Sequence, residues 1–156
     1  MLPAIAPQSI ESCTIVIEQV VKVNAPIDVT FESLLEELQH LDSPNGPMDL
    51  KLEAWPGGRW YRDLGNGNGH FWANVQAIKR PTLLEFSGPL MLSFPVVNNV
   101  QYRLKEENGV TTITFHHHGF GLVEDEVKKG MGEGWPSINN KARDRAEAKV
   151  AKRAAK

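Results

Sequence analysis

Between Gly57 and Val75 the chain reads G-G-R-W-Y-R-D-L-G-N-G-N-G-H-F-W-A-N-V. Two aromatic-rich runs, Arg59 to Leu64 and His70 to Val75, flank a segment from Gly65 to Gly69 in which glycine and asparagine alternate. These two residue types tolerate positive φ better than any others, and a tight turn between strands demands it, so the stretch predicts a β-hairpin. The sequence on either side reads as more antiparallel sheet, closed by one long helix.

Thr14 to Asn24 is rich in β-branched residues and predicts a first strand. Pro26 suits the first turn of a helix. Val29, Phe31, Leu34, Leu35 and Leu38 recur at helical spacing, giving a helix from about Pro26 to His40. Leu41 to Pro47 is dense in turn formers and reads as a turn. Met48, Leu50, Leu52 and Ala54 alternate with charged residues and predict a half-buried strand over Met48 to Trp55.

Beyond the hairpin, unbroken alternation would place Phe71, Ala73, Val75 and Ala77 inside and Trp72 outside. Strands are predicted over Leu83 to Gly88, Val100 to Glu107 and Val110 to His118, with Glu107-Asn108-Gly109 as the last turn. Their inward residues are Leu84, Phe86, Val100, Tyr102, Leu104, Ile113 and Phe115. Pro89 to Val97 is apolar but bracketed by prolines, and reads as a strand or an exposed apolar lip. Glu124 to Met131 predicts a short helix and Glu133 to Lys156 a long one, with Trp135 in its first turn, where Pro136 is tolerated. Trp135, Ile138, Ala142, Ala146, Val150 and Ala154 form its narrow apolar stripe. The expected class is α+β, six to seven antiparallel strands curved around the last helix. Thr14 to Lys156 forms one domain, and Met1 to Cys13 is a flexible lead-in.

With 41% hydrophobic and 23% charged residues among 156, the chain can bury a sizeable core. A net charge of -2 gives no global basic field of the kind a nucleic-acid binder carries. The basic residues of the last helix read as a solvated face. Cys13 is the only cysteine, so no intramolecular disulfide forms and a reducing compartment is expected. The first residues lack the basic region of a secretory leader, and no apolar run approaches the ~20 residues of a membrane span, so the expected location is cytoplasmic. His116, His117 and His118 alternate across a strand, so at most two share a face, and no metal site or cofactor is expected. Ser-His-Asp, phosphate-loop and dinucleotide signatures are absent.

Gly57-Gly58-Arg59-Trp60-Tyr61, the glycine-rich turn, Phe71-Trp72 with Val75, Lys79-Arg80-Pro81 before Leu83-Leu84, and Gly132-Glu133-Gly134-Trp135 together resemble the activator-of-Hsp90-ATPase-like branch of the START/Bet v 1-like superfamily. The resemblance covers roughly Thr14 to Val150. It implies a helix-grip fold with a hydrophobic cavity between sheet and last helix. Across the superfamily this cavity binds lipids, sterols, polyketides or plant hormones, and in some branches it has become an active site. The additional N-terminal Hsp90-binding domain of the eukaryotic co-chaperones has no room in 156 residues.

The expected ligand-binding wall is Trp55, Trp60, Tyr61, Phe71, Phe86, Tyr102, Phe115, His117, Trp135 and Ile138. His117, in phase with Ile113 and Phe115, is either a satisfied core histidine or the polar group that orients a ligand. In the central strand one arginine, Arg59 or Arg62, comes near the cavity on either choice of face, and a partly buried guanidinium needs an anionic partner from protein or ligand. The leading expectation is a noncatalytic module that encloses an apolar or amphipathic small molecule. The alternatives are an enzyme using His117 for proton transfer on a polyketide-like substrate, and an Hsp90-related or stress-response accessory protein. The sequence is compatible with a homodimer.

Overall fold

The structure, a computed structural model, describes residues 9–156. Strand β1 (Thr14–Val23) is followed by helix α1 (Ile27–Glu37), which carries the chain to the far edge of the sheet. There β2 (His40–Ser43) and β3 (Gly46–Leu52) begin a meander through β4 (Arg59–Gly65), β5 (Asn68–Lys79), β6 (Leu83–Gly88), β7 (Val96–Glu107) and β8 (Val110–Gly121). The spatial order is β1-β8-β7-β6-β5-β4-β3-β2, antiparallel throughout. The final helix α2 (Asp125–Ala154) packs against α1 and β1. An eight-stranded sheet with a long C-terminal helix in its grasp is the helix-grip arrangement, one strand beyond the expected range.

Two Asn-Gly turns set the register. Asn66 and Gly67 have φ of 54° and 76°, and Asn108 and Gly109 have 53° and 79°, in two-residue loops between Gly65 and Asn68 and between Glu107 and Val110. Paired positive φ is what the type I′ hairpin turn requires.

Three expectations are corrected. Helix α1 stops at Glu37, and the turn expected over Leu41 to Pro47 is the β2–β3 hairpin, in which Ser43 pairs with Gly46. Pro47 is tolerated because the β3–β4 ladder covers only Leu50 to Leu52, so Pro47 has a strand neighbour, Asp42, on one side only. The two helices expected after Glu124 are one, running through Gly130, Gly132, Gly134 and Pro136, so Trp135 lies well inside α2 and not in its first turn. Of the expected flexible lead-in, residues 1–8 lie outside the described residues. Glu11–Cys13 form a 3-10 turn with Cys13 buried and the Thr14 hydroxyl donating to the Ile10 carbonyl at 2.6 Å.

The third correction concerns β5. Trp60 pairs with Ala73 but Tyr61 pairs with Phe71, so Trp72 is an extra residue, a β-bulge. The bulge shifts the alternation by one: Trp72 and Ala73 are both buried, and Phe71 is turned outward. It also frees the Trp72 carbonyl to accept the Leu90 amide at 2.7 Å. Leu90 is fully buried with φ of 58°, a conformation that costs a leucine on the order of 1–2 kcal/mol. A Cβ at Gly88 would stand 2.5 Å from the Trp72 carbonyl oxygen, so only glycine allows this approach. The Pro89 to Val97 stretch, expected as a strand or a lip, is a loop that buries Leu90 and Leu92 and passes into β7 at Val96.

Candidate functional site

Large aromatic side chains fill the space between sheet and helix. Trp60 of β4 stacks on Phe86 of β6 at 4.9 Å and meets Trp72 edge-on at 5.0 Å. Tyr102, Phe115 and Trp135 form a second run, with centroids 4.9 and 5.0 Å apart. Every buried side-chain nitrogen and oxygen among the described residues has a hydrogen-bond partner. The Trp60 indole donates to the Leu38 carbonyl at 2.9 Å. The Tyr102 hydroxyl donates to Asn139 Oδ1 at 2.9 Å, and Asn139 Nδ2 donates to Gln19 Oε1 at 2.8 Å. Burial, and secondarily the negative charge of Glu37, hold the Tyr102 phenol well above its ordinary pKa.

His117 sits in the middle of another such chain. The Trp135 indole donates to its Nδ1 at 3.0 Å, which leaves the proton on Nε2 to be donated to Asn98 Oδ1 at 2.7 Å. Asn98 Nδ2 in turn donates to the Gly88 carbonyl at 3.1 Å. Desolvation, reinforced by the neighbouring His118 and His116, pushes the His117 pKa down to about 4. The imidazole is therefore neutral near pH 7, fixed in one tautomer, with both nitrogens engaged.

Open space appears where α2 leaves the sheet. One pocket of about 260 Å³ lies between Met91 and Leu92 of the β6–β7 loop and Val127, Met131 and Trp135 of α2. A second of about 260 Å³ lies between Met48, Trp72 and Leu41 on the sheet side and Gly134, Ser137 and Lys141 on the helix. Both are walled by Met91, Gly134 and Ile138. The charges beside the second pocket are neutralised in pairs: the buried Glu37 carboxylate accepts from Arg145 at 2.9 Å, and Lys141 pairs with Asp42 at 3.1 Å.

Of the residues expected to line a cavity, Trp60, Phe86, Tyr102, Phe115, His117 and Trp135 come together in the interior, and Ile138 is half-buried at the pockets. Three do not join them. Trp55 is 58% exposed, in the turn after β3. Phe71 is 41% exposed because of the bulge. Tyr61 lies opposite Phe71 on the outer face, with the Arg59 guanidinium 4.3 Å over its ring. Arg59 itself is held by Glu53 at 2.7 and 2.9 Å, and this pairing lowers the Glu53 pKa to about 2. Among the described residues no group of three or more His, Cys, Asp or Glu could hold a metal ion. His116 and His118 share the outer face with rings stacked at 4.3 Å, and Glu18, brought alongside by β1, accepts from His118 at 3.1 Å.

Sequence reading missed Asn98, Asn139, Gln19, Trp72, Met91 and Leu92. Two of these carried a signal: Asn98 is in phase with Val100 and Tyr102 on β7, and Asn139 follows Trp135 by one helical turn.

The fold and its interior define a helix-grip protein of the Bet v 1-like kind, with a glycine-rich opening beside the helix. Residues 24–142 match the family described as Activator of Hsp90 ATPase homolog 1-like protein, and the chain belongs to that family. Solved structures similar to it include protein MLL2253 from Mesorhizobium loti, at 18% identity and a TM-score of 0.63 over 84% of this chain and 97% of that one. Protein BH1534 from Bacillus halodurans matches at 22% identity and a TM-score of 0.62, over 85% and 96%. The di-domain ARO/CYC StfQ from the steffimycin biosynthetic pathway matches at 10% identity and a TM-score of 0.64, over 94% of this chain and 54% of StfQ. At these identities the likeness is one of fold. No curated protein matches the chain. No helix among the described residues is long and apolar enough to cross a membrane.

Proposed function

We propose that the protein is a small-molecule binding module whose ligand, apolar or amphipathic, enters between the β6–β7 loop and the first half of α2. The observation that carries this reading is the pair of apolar pockets sharing Met91, Gly134 and Ile138. Each alone is just below the ~300 to 1,000 Å³ of typical ligand sites, and the wall they share includes Met91, an unbranched and adaptable side chain. Burial of ligand surface against Met48, Trp72, Leu92, Met131 and Ile138 supplies affinity. The aromatic interior beneath forms the floor. Its polar groups bond to one another, which disfavours His117 as a proton-transfer group and favours binding over catalysis. The fold's occurrence in an ARO/CYC protein is in keeping with a bulky organic ligand.

Native mass spectrometry of protein purified from its own host, compared with the same sample denatured, tests this. A copurified small molecule that is lost on denaturation, and that Gly134→Phe protein fails to retain, is the expected result. A ligand retained equally by that folded variant contradicts the site, and protein that neither carries nor binds any small organic molecule contradicts the function.

A further inference from the structure

The sheet face that forms one wall of the second pocket also carries, beyond the pocket's own lining, a charge that no described residue answers. Arg62 of β4 lies opposite Leu50 of β3 and His70 of β5. Side chains directly opposite across antiparallel strands share a face. Leu50 is buried, and the His70 ring meets the buried Trp72 ring edge-on at 6.3 Å, so Arg62 and His70 stand on the inner face. Trp72 and Met48, on that face, line the second pocket.

Arg62 is half-buried, yet its guanidinium makes no hydrogen bond, ion pair or ring contact with any described residue. The other half-buried Lys and Arg side chains among the described residues are all engaged: Lys128 by the Ser12 carbonyl, Arg143 by Asp144, Arg145 by Glu37 and Lys149 by Glu36. Nearby carboxylates are committed elsewhere. Asp63 pairs with Lys51 at 3.1 Å, Glu53 with Arg59 at 2.7 Å and Asp42 with Lys141 at 3.1 Å. Asp49 neighbours Leu50 in β3 and so points to the opposite face.

A guanidinium without a counter-charge beside an apolar face keeps all its donors available, and its planar fork matches a carboxylate or phosphate in a bidentate pair. We propose that Arg62, flanked by His70, is the head-group subsite for an organic anion whose apolar body lies against Met48 and Trp72. This rests on the binding reading above and narrows it to amphipathic carboxylates or phosphate monoesters.

The probes are straight-chain alkyl carboxylates and alkyl phosphates of eight to fourteen carbons, each with its matched alcohol, titrated below micelle formation and followed by tryptophan fluorescence and calorimetry. One charge-assisted contact should favour the anion about tenfold or more over the alcohol in the wild type. Arg62→Gln should reduce the anion to the level of the alcohol and leave the alcohol unchanged, while Arg62→Lys retains part of the preference. Carboxylates favoured over phosphates, or the reverse, names the head group. Equal binding of anions and alcohols to the wild type, or a preference that survives Arg62→Gln, overturns the subsite and leaves the pocket standing. Failure of every probe to bind overturns both. The wild-type comparison stands even where Arg62→Gln does not fold.

Discussion

The two halves of α2 solve opposite problems. From Ile138 onward, Asn139, Ala142 and Ala146 are buried against the sheet and α1, and Arg145 and Lys149 tie the helix to Glu37 and Glu36 of α1. From Asp125 to Ser137 the helix carries Gly130, Gly132 and Gly134, and a Cβ built on any of the three would meet nothing within 4 Å. Close packing therefore does not require those glycines. Each costs on the order of 1 kcal/mol of helix propensity relative to alanine, and Pro136 has no N–H to offer the Gly132 carbonyl. One half of the helix is a lock on the core and the other is held mainly by Met131 and Trp135, with open space on either side. A single element can thus close a fold at one end and leave open space at the other.

The comparison breaks most visibly at Trp135, where the two halves meet. Trp135→Ala removes a fully buried ring and strands the His117 Nδ1 acceptor, and should lower stability by about 3–5 kcal/mol in urea denaturation. A loss below about 1 kcal/mol would mean that the first half of α2 is not anchored there.

Acid attacks the same junction. His117 titrates at about 4 in the folded chain against about 6.5 free, so between those values the unfolded chain binds more protons. Its contribution is fully present above pH 6.5 and fades as pH falls toward 4, by about 3 kcal/mol. Urea midpoints measured from pH 7 to 4.5 should fall more steeply for the wild type than for His117→Gln. Parallel slopes would contradict the buried neutral imidazole.

Smaller effects sharpen the contrast. Arg145→Met leaves the Glu37 carboxylate, 4% exposed, without its partner and should cost about 2 kcal/mol, below the ~3–5 of a fully buried pair because Arg145 reaches water. Gly132→Ala should raise stability by up to about 1 kcal/mol, since its methyl meets no atom. Thermal melts of the two variants should therefore move in opposite directions. A destabilising Gly132→Ala would show that the glycine is needed for packing after all.

Much of this was legible in the sequence, and the exceptions have physical causes. The Asn-Gly turns and the alternation of Leu84, Phe86, Val100, Tyr102, Ile113 and Phe115 gave strands and core, because turn chemistry and period-two burial act locally. The bulge at Trp72 was not legible, since one inserted residue leaves composition unchanged while inverting every side chain before it, which is why Phe71 is outside. The continuity of α2 was hidden because glycine and proline argue for a break, and only the burial of Met131 and Trp135 overrides them. Tyr61 was misplaced because aromatic character alone does not report the face of a strand, and Trp55 because β3 ends at Leu52 and leaves it in a turn. Arg62 was legible as one of two candidates, and the register with Leu50 separates it from Arg59.

The most direct test of a site at the first half of α2 is a two-dimensional amide NMR titration with an alkyl carboxylate of ten to twelve carbons. Shifts concentrated at Gly130, Gly132, Gly134 and Ile138 of the helix, at Met91 and Leu92 of the loop and at Met48, Arg62, His70 and Trp72 on the inner face of the sheet, with the amides of Ala142 to Val150 unmoved, are predicted. Shifts confined to the outer face of the sheet, around Val97, His118 and Phe120, or no shifts at all, would contradict it.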